Sequence, residues 1–174
     1  TLKDSTGNEL NTSTTGVANL TSGINIDTVS PTVHTITTTA TPGTYAHGDT
    51  IDISVNFSEP VTLSTGGELE MTLNANDSSG NPIILTKNVL SNINQVNFDY
   101  TVGENDEIPG NNNLAVTDLA LSSGATLKDD YNNHATLTTN NTTLTGFKID
   151  NVHPLINSVS ATSGTYIPGD DIDI

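Results

Sequence analysis

The stretch GTYAHGDTIDISVNFSEPV (residues 43–61) decides how the chain is read. Within it Ile51, Ile53, Val55 and Phe57 alternate with Thr50, Asp52, Ser54 and Asn56. A period of two places the apolar set on one face of a strand and the polar set on the other. Gly43 and Gly48 form a corner that leads into the strand. The acidic turn Ser58-Glu59-Pro60 is expected to end it, because Pro60 has no N–H for a continuing ladder.

The first half of this stretch returns as GTYIPGDDIDI (residues 164–174). Two further correspondences fix the register: TLKDSTGNEL from Thr1 against TLKDDYNNHA from Thr126, and IDTVSP from Ile26 against IDNVHP from Ile149. The three spacings are 125, 123 and 121 residues, so the repeat is domain-sized with small loop deletions. On this reading residues 1–27 are the C-terminal part of one module, 28–150 a complete module and 151–174 the beginning of a third. The sequence reads as a window on a longer tandem array.

Outward from the central strand, Thr-rich residues 32–39 form a first strand whose inward positions, Val33 and Ile36, imply a bulge. Leu69, Met71 and Leu73 alternate in a third strand, residues 83–89 form a fourth, and Val96, Phe98, Tyr100 and Val102 mark the inward face of a fifth. Residues 114–121 give a sixth, and a last, broken strand across 138–145 ends at Phe147 and Ile149. About seven strands with turn signals between them, and no helical periodicity, describe an all-β, antiparallel sandwich of immunoglobulin type.

Four lysines and no arginine stand against 20 Asp plus Glu, a net charge of -16 that repels nucleic acid and anionic membranes. The same excess makes a divalent cation the first partner to consider. Cysteine is absent, which excludes disulfides and thiolate metal sites. No apolar run approaches the roughly 18 residues needed to span a bilayer as a helix. There is no nucleophile elbow, His-rich metal motif or phosphate loop, so no enzyme is expected.

The D-x-V-x-P linker (Asp27 to Pro31 and Asp150 to Pro154), G-T-Y-x-x-G-D-x-I-x-I, F-S-E-P-V and a late L-K-D-x-x-x-N together resemble the bacterial Ig-like repeats of giant surface adhesins. The resemblance covers nearly the whole chain. It implies a secreted, non-catalytic spacer module in a cell-surface stalk or filament, with neighbouring Ig-like modules as partners and calcium stiffening the joints. The late motif departs from the family pattern: it reads KDDYNNHA, where K-D-x-x-G-N, as in Lys3 to Asn8, is the commoner form.

In an Ig-type topology alternate loops share a pole, which sorts the carboxylates into two sets. One pole collects Asp27, Glu59, Asp129 and Asp130; the other collects Asp49, Glu104, Asp106 and Asp150. Calcium takes six to eight oxygens from such flexible loops, and each set is a candidate calcium site at a joint. The same residue types also favour turns through local hydrogen bonds. The alternative functions are a carbohydrate-binding sandwich and a strand-sharing subunit of an extracellular fibre or S-layer. Sugar stacking needs exposed aromatic faces, and by phase only Tyr131 sits in a loop.

Overall fold

The computed structural model describes residues 3, 5–9, 26–151 and 155–171. The expected strand copy at 172–174, linker residues 152–154 and most of 1–27 lie outside the described residues. Ten strands are present among those described: β1 (Val33–Thr37), β2 (Gly43–Tyr45), β3 (Thr50–Leu63), β4 (Leu69–Asn76), β5 (Pro82–Lys87), β6 (Ile93–Thr101), β7 (Ala115–Leu121), β8 (Leu127–Lys128), β9 (Thr142–Thr143) and β10 (Phe147–Ile149). The only helical element among them is a single 3-10 turn, Pro109–Asn111.

The alternation in β3 has the expected effect: Ile51, Ile53, Val55 and Phe57 are all buried. The strand does not end at Ser58-Glu59-Pro60, however, and that expectation is corrected. It continues to Leu63, with Val61 and Leu63 also buried. The reason is a bulge. Asn56 pairs with Gln95 of β6, and the next pair is Val61 with Ile93, so four residues of β3 stand opposite one of β6. Pro60 lies inside the bulge, where its missing N–H breaks no ladder bond. The backbone there is held from the other side: Ser58 N–H donates to Thr32 O at 2.9 Å, and Thr32 N–H to Ser58 Oγ at 3.0 Å.

Around β3 the order is β1-β3-β6, antiparallel, with β8 continuing the β1 side at Thr62 and Leu63. The register of β1 shifts between Val33 and Thr35, the irregularity that the spacing of Val33 and Ile36 implies. A second antiparallel sheet has the order β5-β4-β7-β9. Its central strand β4 alternates without a break, burying Leu69, Met71, Leu73 and Ala75. The two sheets share one apolar cluster, to which β6 contributes Val96, Phe98 and Tyr100 and β7 contributes Val116 and Leu119. This arrangement is consistent with a β-sandwich. Each fully buried aliphatic or aromatic side chain adds about 1.5–3 kcal/mol relative to exposure.

Not all pairing is antiparallel. β2 and β10 form a parallel pair, Gly43 to Phe147, Thr44 to Lys148 and Ile149 to Tyr45. The rings of Tyr45 and Phe147 stack across it with centroids 5.8 Å apart. All buried hydrophobic side chains among the described residues lie between Ile36 and Phe147, whereas residues 155–171 are exposed throughout.

The repeated sequence folds into the same local corner twice. Tyr45 Oη donates to Thr41 O at 2.7 Å, and Tyr166 Oη to Thr162 O at 2.6 Å. Ala46 N–H donates to Asp49 Oδ2 at 2.9 Å, and Ile167 N–H to Asp170 Oδ2 at 2.8 Å. Gly48 and Gly169 take positive φ, 87° and 104°, at matching positions.

Candidate metal centre

Three segments meet at one pole: residues 26–30, the β3 bulge and loop 129–133. Asp27, Glu59 and Asp129 each offer a carboxylate oxygen there, and these oxygens all lie within 4.8 Å of one another. Asp27 comes from the chain before the first strand, Glu59 from the bulge and Asp129 from the end of β8. The bulge is what presents Glu59: a regular continuation of β3 would alternate it with its neighbours along the ladder, whereas the extra residues carry it out of the pairing.

Asp129 is fixed from within its own loop. Its Oδ1 accepts the N–H groups of Tyr131 and Asn133, both at 2.8 Å, and its Oδ2 accepts Asn133 Nδ2 at 2.8 Å. Asn132, at φ 70°, supplies the left-handed corner. The hairpin turn 77–81 repeats the design, with Asp77 Oδ1 accepting Ser79 and Asn81 N–H and Gly80 at φ 80°. Asn132 therefore stands where glycine stands in the commoner K-D-x-x-G-N form, and the departure in sequence leaves the turn intact. Asparagine tolerates this region because its short polar side chain bonds locally.

Burial pushes the Asp129 carboxyl up, but the hydrogen bonds from Asn133 and Tyr131 outweigh it and hold it below the usual carboxylate value. Glu59 goes the other way. Loss of surrounding water, followed by the charges of Asp27 and Asp129, raises it above the usual glutamate value. Asp27 Oδ1 accepts Val29 N–H at 2.9 Å, and its carbonyl accepts Asn133 Nδ2 at 3.3 Å. Asn133 thus ties the incoming segment to the loop that carries Asp129.

The donor set is made only of hard oxygen ligands from three separate segments, which suits calcium better than a metal that selects nitrogen or sulfur. Oδ1 of Asp129 already accepts two hydrogen bonds and Oδ2 one, so Oδ2 retains capacity toward a cation. Asp130 is exposed and is not part of this group.

The second expected set is not assembled among the described residues. The Asp49 carboxylate closes its own corner on Ala46 N–H. Asp106 is 7% exposed and turned inward: its Oδ2 accepts Tyr100 Oη at 2.9 Å and Gly103 N–H at 2.8 Å. Asp106 lies six residues after inward-facing Tyr100, so closing loop 103–106 brings its carboxylate to the buried phenol. Glu104 and Asp150 are exposed and belong to no group of three metal-binding side chains among the described residues. In this chain Asp106 therefore staples its own loop to the buried phenol, and Asp49 closes its own turn.

Two asparagines to which the sequence pattern assigns no role hold these poles. Asn133 is one. Asn151 is the other: its Oδ1 accepts His47 N–H at 2.7 Å, and its Nδ2 donates to Gly103 O at 2.8 Å and Asp106 O at 2.9 Å. The signal for Asn133 was the D-x-x-x-N spacing shared by 4–8, 77–81 and 129–133. For Asn151, whose counterpart is Thr28, the repeat carried no signal.

Comparison with protein-family models, with curated proteins and with solved structures returns no match in any of the three.

Proposed function

We propose that the chain is a non-catalytic structural spacer, an Ig-like module repeated in tandem in the stalk of a large secreted bacterial surface adhesin or filament, with calcium stiffening its joints. The observation that carries this reading is the meeting of Asp27, from the segment before the first strand, with Glu59 and Asp129 within 4.8 Å. A cation bound there would tie the incoming chain to the sandwich. The twice-formed corner at 41–49 and 162–170 supports the tandem arrangement. The strand order β1-β3-β6 opposite β5-β4-β7-β9, with the parallel β2–β10 pair, supports the Ig-like type. A net charge of -16 would keep neighbouring stalks apart and soluble.

The test is calcium calorimetry on the chain together with thermal unfolding in calcium and in chelator. At free calcium ten times the dissociation constant a single site adds about 1.4 kcal/mol of stability. Binding that disappears in Glu59→Gln supports the site. Absence of heat and of any midpoint shift at millimolar calcium removes the cation from the reading and leaves the acidic pole as turn chemistry.

A further inference from the structure

We infer that consecutive modules dock pole to pole through one shared residue, with no free linker between them. The surface formed by loop 103–110 and Asn151 is then the docking face for loop 129–133 of the following copy. This rests on the tandem reading above but not on calcium.

At the exit of the module, Asp150 N–H donates to Tyr45 O at 3.0 Å, and the Asn151 amide uses all three of its bonds on the corner at His47 and on loop 103–106. The chain is therefore held to the module it leaves as far as residue 151. At the entrance, Asp27 O accepts Asn133 Nδ2, Asp27 Oδ1 caps Val29 N–H, and Pro31 O accepts Thr136 N–H at 2.8 Å. The chain is held to the module it enters from residue 27 onward. The D-x-V-x-P motif places Asp27 and Asp150 at the same position of the repeat.

At the shared repeat position, one aspartate has its N–H bonded by the outgoing module and its carbonyl bonded by Asn133 of the incoming one, while its carboxylate closes a local turn on the second residue after it. No residue is left over to act as a flexible tether. The two poles are then forced into contact, because the chain between their first and last anchored atoms is a single residue long. The outgoing face is an open polar cleft lined by Asn105, Glu107, Pro109, Lys148 and Asp150. The incoming face carries Tyr131, which is 54% exposed in the single module. An amphipathic aromatic against a polar, partly apolar cleft is the composition expected of a small intramolecular interface. Because the clamp consists of hydrogen bonds, it orients the joint before any cation binds.

The test uses a tandem chain in which residues 1–151 continue directly into residues 29–174 of a second copy, with one spin label on an exposed strand position of each module. The expected result is an inter-module distance distribution that is already narrow in chelator, with calcium only tightening it further about the same mean. Asn151→Ala in the first copy combined with Asn133→Ala in the second should lose that narrowness. So should two glycines inserted after residue 151, which leave both modules intact. A broad distribution in chelator that narrows only with calcium overturns the shared-residue joint while supporting the metal site. A narrow distribution in a chain that binds no calcium sinks the metal reading and upholds the joint. Insensitivity to both the double substitution and the glycine insertion overturns it.

Discussion

Replacing Tyr100 by Phe tests whether Asp106 serves the fold or a cation. Tyr100 is 1% exposed, and its hydroxyl is 2.9 Å from Asp106 Oδ2, an oxygen that otherwise accepts only Gly103 N–H at 2.8 Å. Phenylalanine keeps the ring and its packing, so the substitution removes one hydrogen bond to a charged acceptor in a buried setting. Such bonds contribute about 1.5–3 kcal/mol. With a urea slope of about 2 kcal/mol per molar, a loss near 2 kcal/mol lowers the unfolding midpoint by about 1 M. The assay is equilibrium urea unfolding followed by circular dichroism at neutral pH, paired with calcium calorimetry on the same variant. Calcium binding should be unchanged, because Asp106 is not in the Asp27–Glu59–Asp129 group. A midpoint that moves by less than about 0.2 M refutes the staple. Unchanged stability with weakened calcium binding would return Asp106 to the role of ligand. The parent chain carries a further signature: burial, then the bond to and charge of Asp106, raises the Tyr100 phenol above its ordinary value. Above pH about 10 only the unfolded chain gives up that proton, so this group makes stability fall as pH rises, and Tyr100→Phe abolishes that part of the fall.

Glu59→Gln should raise the thermal midpoint in chelator at pH 7, since the folded state holds this carboxyl's pKa above its unfolded value and so is penalised when it ionises. The gain should vanish as pH falls below the ordinary glutamate value, and thermal scans across roughly pH 3 to 7 would show it. Gly67→Ala brings a Cβ to 2.7 Å from Ala125 Cβ and 3.0 Å from Ser64 Oγ, and should destabilise by about 1–3 kcal/mol through overpacking, measured by urea unfolding. Phe98→Ala empties the centre of the shared core, where Phe98 is 0% exposed, and should cost about 3–5 kcal/mol, read as a fall of about 1.5–2.5 M in the urea midpoint by circular dichroism.

The long strands were legible because one face of each is buried and the other is not. The alternation in β3, β4 and β6 appears directly as buried and less buried positions. The short strands were not. β2 and β8 are three and two residues long, too short to show a period, and exist because β10 and the far end of β3 lie beside them. Pro60 was misread for a definite reason: the rule that proline ends a strand assumes a regular ladder, and here the ladder skips. At the site, Asp27, Glu59 and Asp129 were reached by sorting loops to poles, an argument that depends on topology alone. That argument counts charges at a pole without asking which way they face, and so it gives no hint that the Asp106 carboxylate turns inward to Tyr100. Tyr100 was read as inward, yet nothing local in GENDEIPG says that its hydroxyl needs an acceptor.

The parallel pairing of β2 and β10 bears on how the molecule meets tension. A pull applied through residues 27 and 150 loads the β1–β3 pairing first and, once β1 gives, reaches β2 from its N-terminal side, while it reaches β10 from its C-terminal side. In a parallel pair those sides are at opposite ends, so the two strands are dragged past each other along their length. The hydrogen bonds between Gly43–Tyr45 and Phe147–Ile149, and the stacked rings of Tyr45 and Phe147, then carry the load together rather than one after another. A zipper loaded from one end opens bond by bond; this lap joint has to yield all at once.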